Sequence, residues 1–225
     1  MKYLEAMLFS IILLLIALLG YRFLYDKEIP LDSDSQDLIR MSSLQVITYR
    51  ESSEAYGSAV IIDENDLHYI AITNHHVIQD ALSIRVIDYL SNTHEASLLP
   101  GSPMASYDLA LITFNKTLDL YVIPMGESYQ DNEEIISAGY PGGAFSYTMG
   151  RITRTLAIEH EVSFPVIHHT SFIDHGSSGG ALLNAHGELI GINFAKYMHE
   201  DQFIKAYAIP VAMVKEYLGV IAYDL

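Results

Sequence analysis

The feature that most constrains this chain is a succession of short apolar runs, rich in β-branched residues and separated by turn residues, which begins at residue 44. Runs of this length between turns are typical of strands in β-sandwiches and β-barrels. They cover residues 44–49, 57–62, 69–73, 83–89, 108–114, 133–140, 181–184, 188–194 and 205–210. The pattern predicts an all-β fold.

The spacing of these runs also predicts how the domain is organised. A polar stretch over residues 115–132 divides two halves of similar length, about 42–114 and 133–212, and each half has the size of a small β-barrel. Residues 211–218 follow Pro210 and predict one short helix at the end of the domain. The expected domain therefore spans residues 42–220, with a tail over 221–225.

The N-terminal region differs in composition from the rest of the chain. After a short tail (1–5), residues 6–21 carry no charge, and apolar residues resume beyond Arg22. As a helix, residues 6–25 are about 30 Å long, which is enough to cross a bilayer if Arg22 reaches the interface. We expect an uncleaved transmembrane anchor, followed by an acidic spacer over 26–41. A cleaved signal peptide is the alternative, although no A-x-A cleavage site follows the apolar run.

Charge and residue types exclude several classes of function. The formal net charge of −16 would repel a phosphate backbone, so no nucleic-acid partner is expected. The chain contains no cysteine, and therefore no thiol nucleophile and no cysteine-ligated zinc. It has ten histidines but no H-E-x-x-H motif, so no metal site is predicted.

Three short segments carry residues that are ordinary individually and informative together. They are 71–78, an apolar strand ending at His75 and His76; 107–112, where Asp108 precedes a buried strand; and 174–180, where glycines flank Ser178. A serine that attacks a carbonyl needs a base, a group that orients the base, and backbone N–H groups for the oxyanion. The three segments supply all of these, with the N–H groups of Gly176 and Ser178 as the oxyanion donors.

The segment Gly176–Gly180 also matches the G-x-S-x-G elbow of α/β-hydrolases, so that class must be considered. In those enzymes the acidic residue and the histidine follow the serine, and the serine opens a helix. Here the segment after Ser178 has a strand–turn–strand pattern, and the candidate histidine and aspartate precede the serine. The order His, Asp, Ser on an all-β pattern is that of the two-barrel serine proteases.

Six segments resemble, in order, the protease domain of HtrA/Deg-type trypsin-like serine proteases. They are GSAVII (57–62), TNHHVI (73–78), YDLALI (107–112), GSSGGALLN (176–184), GELIGIN (187–193) and YAIPVAMV (207–214). The resemblance implies a chymotrypsin-like double β-barrel and a serine endopeptidase that acts on proteins or peptides without a metal or organic cofactor. Family members often continue into a PDZ domain, which is not expected here because few residues follow 218.

Matched by position, the resemblance makes His76 the base, Asp108 the group that orients it, and Ser178 the nucleophile. Gly176 and Ser178 become the oxyanion donors. This chain has Ser177 where the family commonly has asparagine.

The resemblance also assigns the pocket for the side chain before the cleaved bond to Phe172, Ile173, Asn193 and Phe194. Phe172 stands where trypsin-type enzymes have an aspartate, and Asn193 stands where glutamate-specific relatives have a histidine. This predicts a preference for uncharged side chains.

The expected protein is thus a membrane-anchored serine endopeptidase whose domain lies on the extracytoplasmic side. The alternative location is secretion after signal-peptide cleavage. The alternative function is a catalytically silent peptide-binding protein of the same fold. The sequence does not determine whether the chain forms a homo-oligomer.

Overall fold

The computed structural model describes residues 33–158 and 164–223. The predicted anchor over residues 6–25 lies outside these ranges. Among the helices that are described, none has the length and apolar character to span a membrane. The end of the predicted spacer forms helix α1 (Ser33–Ser42), and Ile39 on this helix is buried.

Six antiparallel strands form a closed first barrel with the order β1-β2-β3-β6-β5-β4. The strands are β1 (Ser43–Tyr49), β2 (Glu54–Glu64), β3 (His68–Thr73), β4 (Ser83–Ile87), β5 (Thr93–Leu98) and β6 (Ala110–Asn115). Alternate side chains of β1 point inward, as the alternating sequence predicts.

Six further antiparallel strands form a second closed barrel with the order β10-β11-β12-β9-β8-β7. They are β7 (Glu134–Gly139), β8 (Ser146–Ile158), β9 (Pro165–His169), β10 (Ala181–Asn184), β11 (Leu189–His199) and β12 (Gln202–Pro210). The prediction of an all-β double barrel is confirmed. The core of the second barrel includes Ile135, Ile152, Ile167, Leu182, Ile190 and Ala208.

The polar stretch between the barrels contacts both of them. Its Ile123 N–H donates to the Ile61 carbonyl in the first barrel (3.0 Å), and the Pro124 carbonyl accepts from Leu189 N–H in the second (2.8 Å). Ile123 is itself buried. These contacts hold the two barrels against one segment of chain.

The short C-terminal helix is also confirmed, as α3 (Val211–Val220), which begins directly after Pro210. Its Val214 and Tyr217 side chains are buried. The Tyr217 hydroxyl donates to the Ser102 carbonyl at 2.7 Å and so connects the helix to the first barrel.

Candidate active site

His76 and Asp108 lie at the same edge of the first barrel because two strands pair there. β3 and β6 are antiparallel, with Thr73 opposite Ala110. His76 lies in the one-turn helix α2 (His75–Ile78) that follows β3, and Asp108 lies just before β6. The ladder therefore places a histidine next to a carboxylate.

Both carboxylate oxygens of Asp108 contact His76. Oδ1 accepts the backbone N–H of His76 at 3.0 Å, and Oδ2 lies 2.8 Å from Nδ1 of the imidazole. Because a carboxylate accepts hydrogen bonds, Nδ1 carries the proton and Nε2 is left as an acceptor. The Asp108 carbonyl accepts the His75 N–H and the Asn74 side-chain amide, each at 3.0 Å. Of the two neighbouring histidines, His76 is therefore the one oriented by the carboxylate.

The turn that carries Ser178 requires glycine at two positions. Gly176 has φ 97° and Gly179 has φ 86°, a backbone region that side chains disfavour. A Cβ at Gly176 would lie 2.5 Å from the Tyr140 carbonyl oxygen, and one at Gly179 would lie 2.1 Å from the Ser58 carbonyl oxygen. The glycines thus allow the turn to approach neighbouring backbone on both sides of Ser178.

The N–H groups of Gly176 and Ser178 donate to no protein acceptor within the described part of the chain. They are therefore available to a ligand, as an oxyanion hole requires. Gly176 and Ser178 share a groove of about 640 Å³ with His76. The other residues lining that groove are Gln45, Tyr56, Gly142, Gly143 and His175.

Hydrogen bonds from neighbouring backbone groups hold this turn. The Ser177 N–H donates to the Asp174 carbonyl at 2.8 Å, and the Ser177 hydroxyl accepts the Asp174 N–H at 3.2 Å. The Gly142 N–H donates to the His175 carbonyl at 2.9 Å. The turn is therefore held both by hydrogen bonds between its own residues and by one from Gly142.

Ser58, on β2 of the first barrel, contacts this turn of the second barrel. Its N–H donates to the Ser178 carbonyl and its hydroxyl to the Gly176 carbonyl, each at 2.7 Å. The same hydroxyl accepts the Tyr140 N–H at 2.8 Å. The motif comparison did not single out Ser58, whose role depends on contact between segments distant in sequence.

The Ser178 hydroxyl donates to the Phe194 carbonyl at 3.2 Å. Proton transfer to His76 requires the hydroxyl proton to turn away from the Phe194 carbonyl. The site thus combines a serine at a glycine turn, an imidazole with a free Nε2 and two backbone N–H donors.

A family described as "Trypsin-like peptidase domain" matches residues 57–192 of this chain. The chain belongs to the trypsin-like peptidase family. The matched range contains His76, Asp108 and Ser178.

Curated relatives of this trypsin-like peptidase include DegP and HtrA proteins. It is 36% identical over 178 residues to a "Probable periplasmic serine endoprotease DegP-like" of Buchnera aphidicola, a match that covers 75% of this chain and 37% of the relative. It is 34% identical over 167 residues to "Periplasmic serine endoprotease DegP" of Escherichia coli, with 72% of this chain and 34% of the relative covered. The chain thus spans just over a third of the length of these relatives. The predicted resemblance to HtrA/Deg-type proteases is confirmed.

A solved structure shows the same architecture. The "Crystal structure of the serine endoprotease from Yersinia pestis" aligns with a TM-score of 0.72 and 26% identity. The alignment covers 86% of this chain and 68% of the Yersinia chain. The fold of this chain is therefore similar to that of a solved serine endoprotease.

A pocket of about 330 Å³ lies next to Ser178 in this trypsin-like peptidase. Two of the four residues predicted for substrate binding, Ile173 and Phe194, line it. Its other lining residues are Asp174, His175, Ala195, Lys196 and Met198. Sequence reasoning missed Lys196 and Met198, because their position at the pocket depends on how β11 pairs with β12.

The structure places the other two predicted pocket residues elsewhere. Asn193 is fully buried, and its amide donates to the Ala181 carbonyl at 2.8 Å. Phe172 is 46% exposed and contacts Phe203, with ring centroids 5.2 Å apart. Together with Ile173, Asn193 and Phe172 line a smaller cavity of about 100 Å³. The preference for uncharged side chains stays a prediction.

A chain of buried polar groups lies behind Asn193. The side-chain Oδ1 of Asn193 accepts from the Ser137 hydroxyl at 3.4 Å, and that hydroxyl lies 2.7 Å from the Ser171 hydroxyl. Ser171 in turn lies 2.7 Å from Nδ1 of His169. Burial lowers the pKa of His169 to about 3, so its imidazole is neutral near neutral pH.

Within residues 33–158 and 164–223, no group of three or more histidine, aspartate or glutamate side chains is arranged to hold a metal ion.

Proposed function

We propose that this trypsin-like peptidase is a serine endopeptidase that hydrolyses peptide bonds in protein substrates. Ser178 is the nucleophile, His76 the general base and Asp108 the residue that orients His76. The observation that carries the proposal is the 2.8 Å contact between His76 Nδ1 and Asp108 Oδ2, because it leaves Nε2 as a proton acceptor in the groove that Ser178 also lines. The curated relatives are named as serine endoproteases, which supports the same activity.

In the first step, Ser178 Oγ attacks the carbonyl carbon of the scissile bond while His76 Nε2 takes the hydroxyl proton. A tetrahedral intermediate forms, and its oxyanion accepts hydrogen bonds from the N–H groups of Gly176 and Ser178. Asp108 stabilises the imidazolium that results, without taking the proton itself.

In the second step, His76 gives its proton to the leaving amine, the carbon–nitrogen bond breaks, and an acyl-enzyme on Ser178 remains. Water then attacks the acyl carbon, again with His76 as the base. The ester bond to Ser178 breaks, and the serine hydroxyl recovers its proton from His76. No metal or organic cofactor takes part in these steps.

A fluorophosphonate probe tests the nucleophile directly, because it phosphonylates an activated serine. We expect stoichiometric labelling of the protein, with Ser178 identified by mass spectrometry, and cleavage of an unfolded protein such as casein. The catalytically silent peptide-binding protein is the competing function. Absence of both labelling and cleavage in a folded protein would favour it.

We further propose that residues 6–25 anchor the domain in a membrane with the peptidase domain on the extracytoplasmic side. The support is the uncharged run over 6–21, together with the word periplasmic in the names of the DegP relatives. The alternative is secretion after cleavage of the same segment.

Two measurements separate these outcomes. We expect the protein to stay with the membrane fraction after a carbonate wash, and the domain to be digested when protease is added to spheroplasts. Residues 6–25 should also remain in the mature protein, as N-terminal sequencing would show. A mature protein that begins after this segment would instead support secretion, and a domain protected from the added protease would contradict the orientation.

A further inference from the structure

The pocket next to Ser178 contains two opposite charges among otherwise mostly apolar walls. Among the described residues that line it, Asp174 supplies the carboxylate and Lys196 the ammonium group. Ile173, Phe194 and Met198 supply apolar surface. The state of the two charged groups therefore decides which substrate side chains the pocket accepts.

The two charged groups bind each other. Lys196 Nζ lies 2.7 Å from Asp174 Oδ1, and the same oxygen accepts the His175 N–H at 2.7 Å. Lys196 Nζ also lies 5.7 Å from the centre of the Phe172 ring, a distance typical of a cation–π contact. Phe172, which the motif positions assigned to the substrate pocket, thus supports Lys196.

The carboxylate is held in its ionised form. The hydrogen bond from Lys196, and after it the backbone hydrogen bond from His175, lower the pKa of Asp174 below its usual value. Asp174 is 43% exposed and Lys196 is 21% exposed, so each group is accessible to a ligand if its partner is removed.

We propose that the Lys196–Asp174 ion pair sets the specificity of this pocket, by neutralising two charges that would each select a charged substrate side chain. The inference rests on the proposed peptidase function. A cationic substrate side chain would be repelled by Lys196, which already forms an ion pair with Asp174. An anionic side chain would be repelled by Asp174. With the pair intact, the pocket takes an uncharged side chain such as leucine before the cleaved bond.

Removal of one partner should therefore change the preference in a defined direction. Lys196→Met keeps an unbranched apolar side chain over Phe172 and leaves the Asp174 carboxylate for lysine or arginine. Asp174→Asn keeps an oxygen acceptor for the His175 N–H and leaves Lys196 for glutamate or aspartate. The two variants should shift specificity in opposite directions, which a general loss of structure would not do.

The test compares kcat/KM for peptides that differ only in leucine, lysine or glutamate before the cleaved bond. We expect Lys196→Met to raise the lysine-to-leucine ratio about tenfold, and Asp174→Asn to raise the glutamate-to-leucine ratio about tenfold, as for one charge-assisted hydrogen bond.

Matched controls separate the local effect from the change in net charge. Lys205→Met removes the same charge from the neighbouring strand, where Lys205 Nζ lies 5.1 Å from the Tyr207 ring centre. Asp119→Asn removes an exposed carboxylate from the segment between the barrels. Both controls should leave the ratios within twofold of wild type. The inference is overturned if the test variants behave like these controls.

A binding measurement keeps the test independent of catalysis. In a Ser178→Ala background, fluorescence anisotropy measures the affinity of labelled tetrapeptides that end in leucine, lysine or glutamate, because such peptides place their last side chain in the pocket. The same opposite shifts are expected on adding Lys196→Met or Asp174→Asn. Unchanged affinity ratios would refute the role of the ion pair. If the wild-type protein hydrolyses nothing while the two variants show the expected shifts in binding, the peptidase function alone is refuted.

Discussion

The hydroxyl of Ser58, in the first barrel, donates a 2.7 Å hydrogen bond to the carbonyl oxygen of Gly176 in the nucleophile turn of the second barrel. Gly176 N–H is one of the two candidate oxyanion donors. The direction of the Gly176 carbonyl helps to determine how the turn is oriented. In the proposed mechanism, Ser58 is therefore a positioning residue, which acts on the reaction through the turn.

Ser58→Ala removes this donor and leaves two backbone groups, the partly buried Gly176 carbonyl and the buried Tyr140 N–H, without their hydrogen bond to the hydroxyl. We expect the free energy of unfolding to fall by about 1–3 kcal/mol. We expect kcat to fall roughly 10- to 100-fold with a smaller change in KM, since the loss concerns the oxyanion. Denaturant unfolding and steady-state kinetics measure the two effects. Ser97→Ala, at an exposed position on β5, is the control and should change neither. An unchanged kcat in Ser58→Ala would contradict the positioning role.

The two adjacent serines should differ sharply. Ser178→Ala should lower kcat by about 10⁶-fold and abolish fluorophosphonate labelling, because the nucleophile is lost. Ser177→Ala loses a long hydrogen bond from the Asp174 N–H, so it should retain labelling and most of the activity. Mass spectrometry of the labelled peptides measures both variants. Labelling of Ser178→Ala but not of Ser177→Ala would show that the nucleophile is Ser177.

The two adjacent histidines provide a second matched pair. His76→Ala removes the imidazole that contacts Asp108 and should lower kcat by about 10⁶-fold. The backbone N–H of His75 donates to the Asp108 carbonyl, and alanine at this position retains that N–H. His75→Ala should therefore keep most of the activity. The measurement is the rate at which the fluorophosphonate probe labels each variant, compared with the rate for wild type. Equal losses in both would contradict the assignment of the base.

The buried His169 should make stability depend on pH. Its pKa is about 3 in the folded protein against 6.5 in the unfolded chain, because burial disfavours the charged form. Between these values the unfolded chain binds a proton that the folded protein excludes, so stability falls as pH falls below 6.5. This residue alone should contribute up to about 1.4 kcal/mol per pH unit.

The measurement is the free energy of unfolding of wild type and His169→Asn between pH 7 and pH 4. His169→Asn is expected to be less stable at pH 7 but to lose less stability on acidification. Parallel pH dependences in the two proteins would show that His169 does not contribute.

Much of this molecule was predictable because its signals are local. Strand side chains alternate with a period of two, and turn residues separate the runs, so the sequence alone indicated the two barrels and the C-terminal helix. The candidate residues around Ser178 were found from the glycines that flank it and from the family resemblance, which also depend on short segments of sequence. Helix α1, by contrast, was not predicted within the acidic spacer over 26–41, because what stabilises it is the burial of Ile39 against the folded domain.

The chemistry of the substrate pocket depended on the tertiary structure. β11 shifts register against β12 after Asn193, and a shift of this kind changes the face to which the following side chains point. The Asn193 amide therefore faces the buried interior, while Lys196 reaches Asp174 across the pocket. Ser58 likewise meets Gly176 only when the two barrels are assembled. The sequence by itself determined the barrels and the residue types available for catalysis. Only the folded chain decided which charges meet beside Ser178, because strand register and barrel contact join residues that are far apart in sequence.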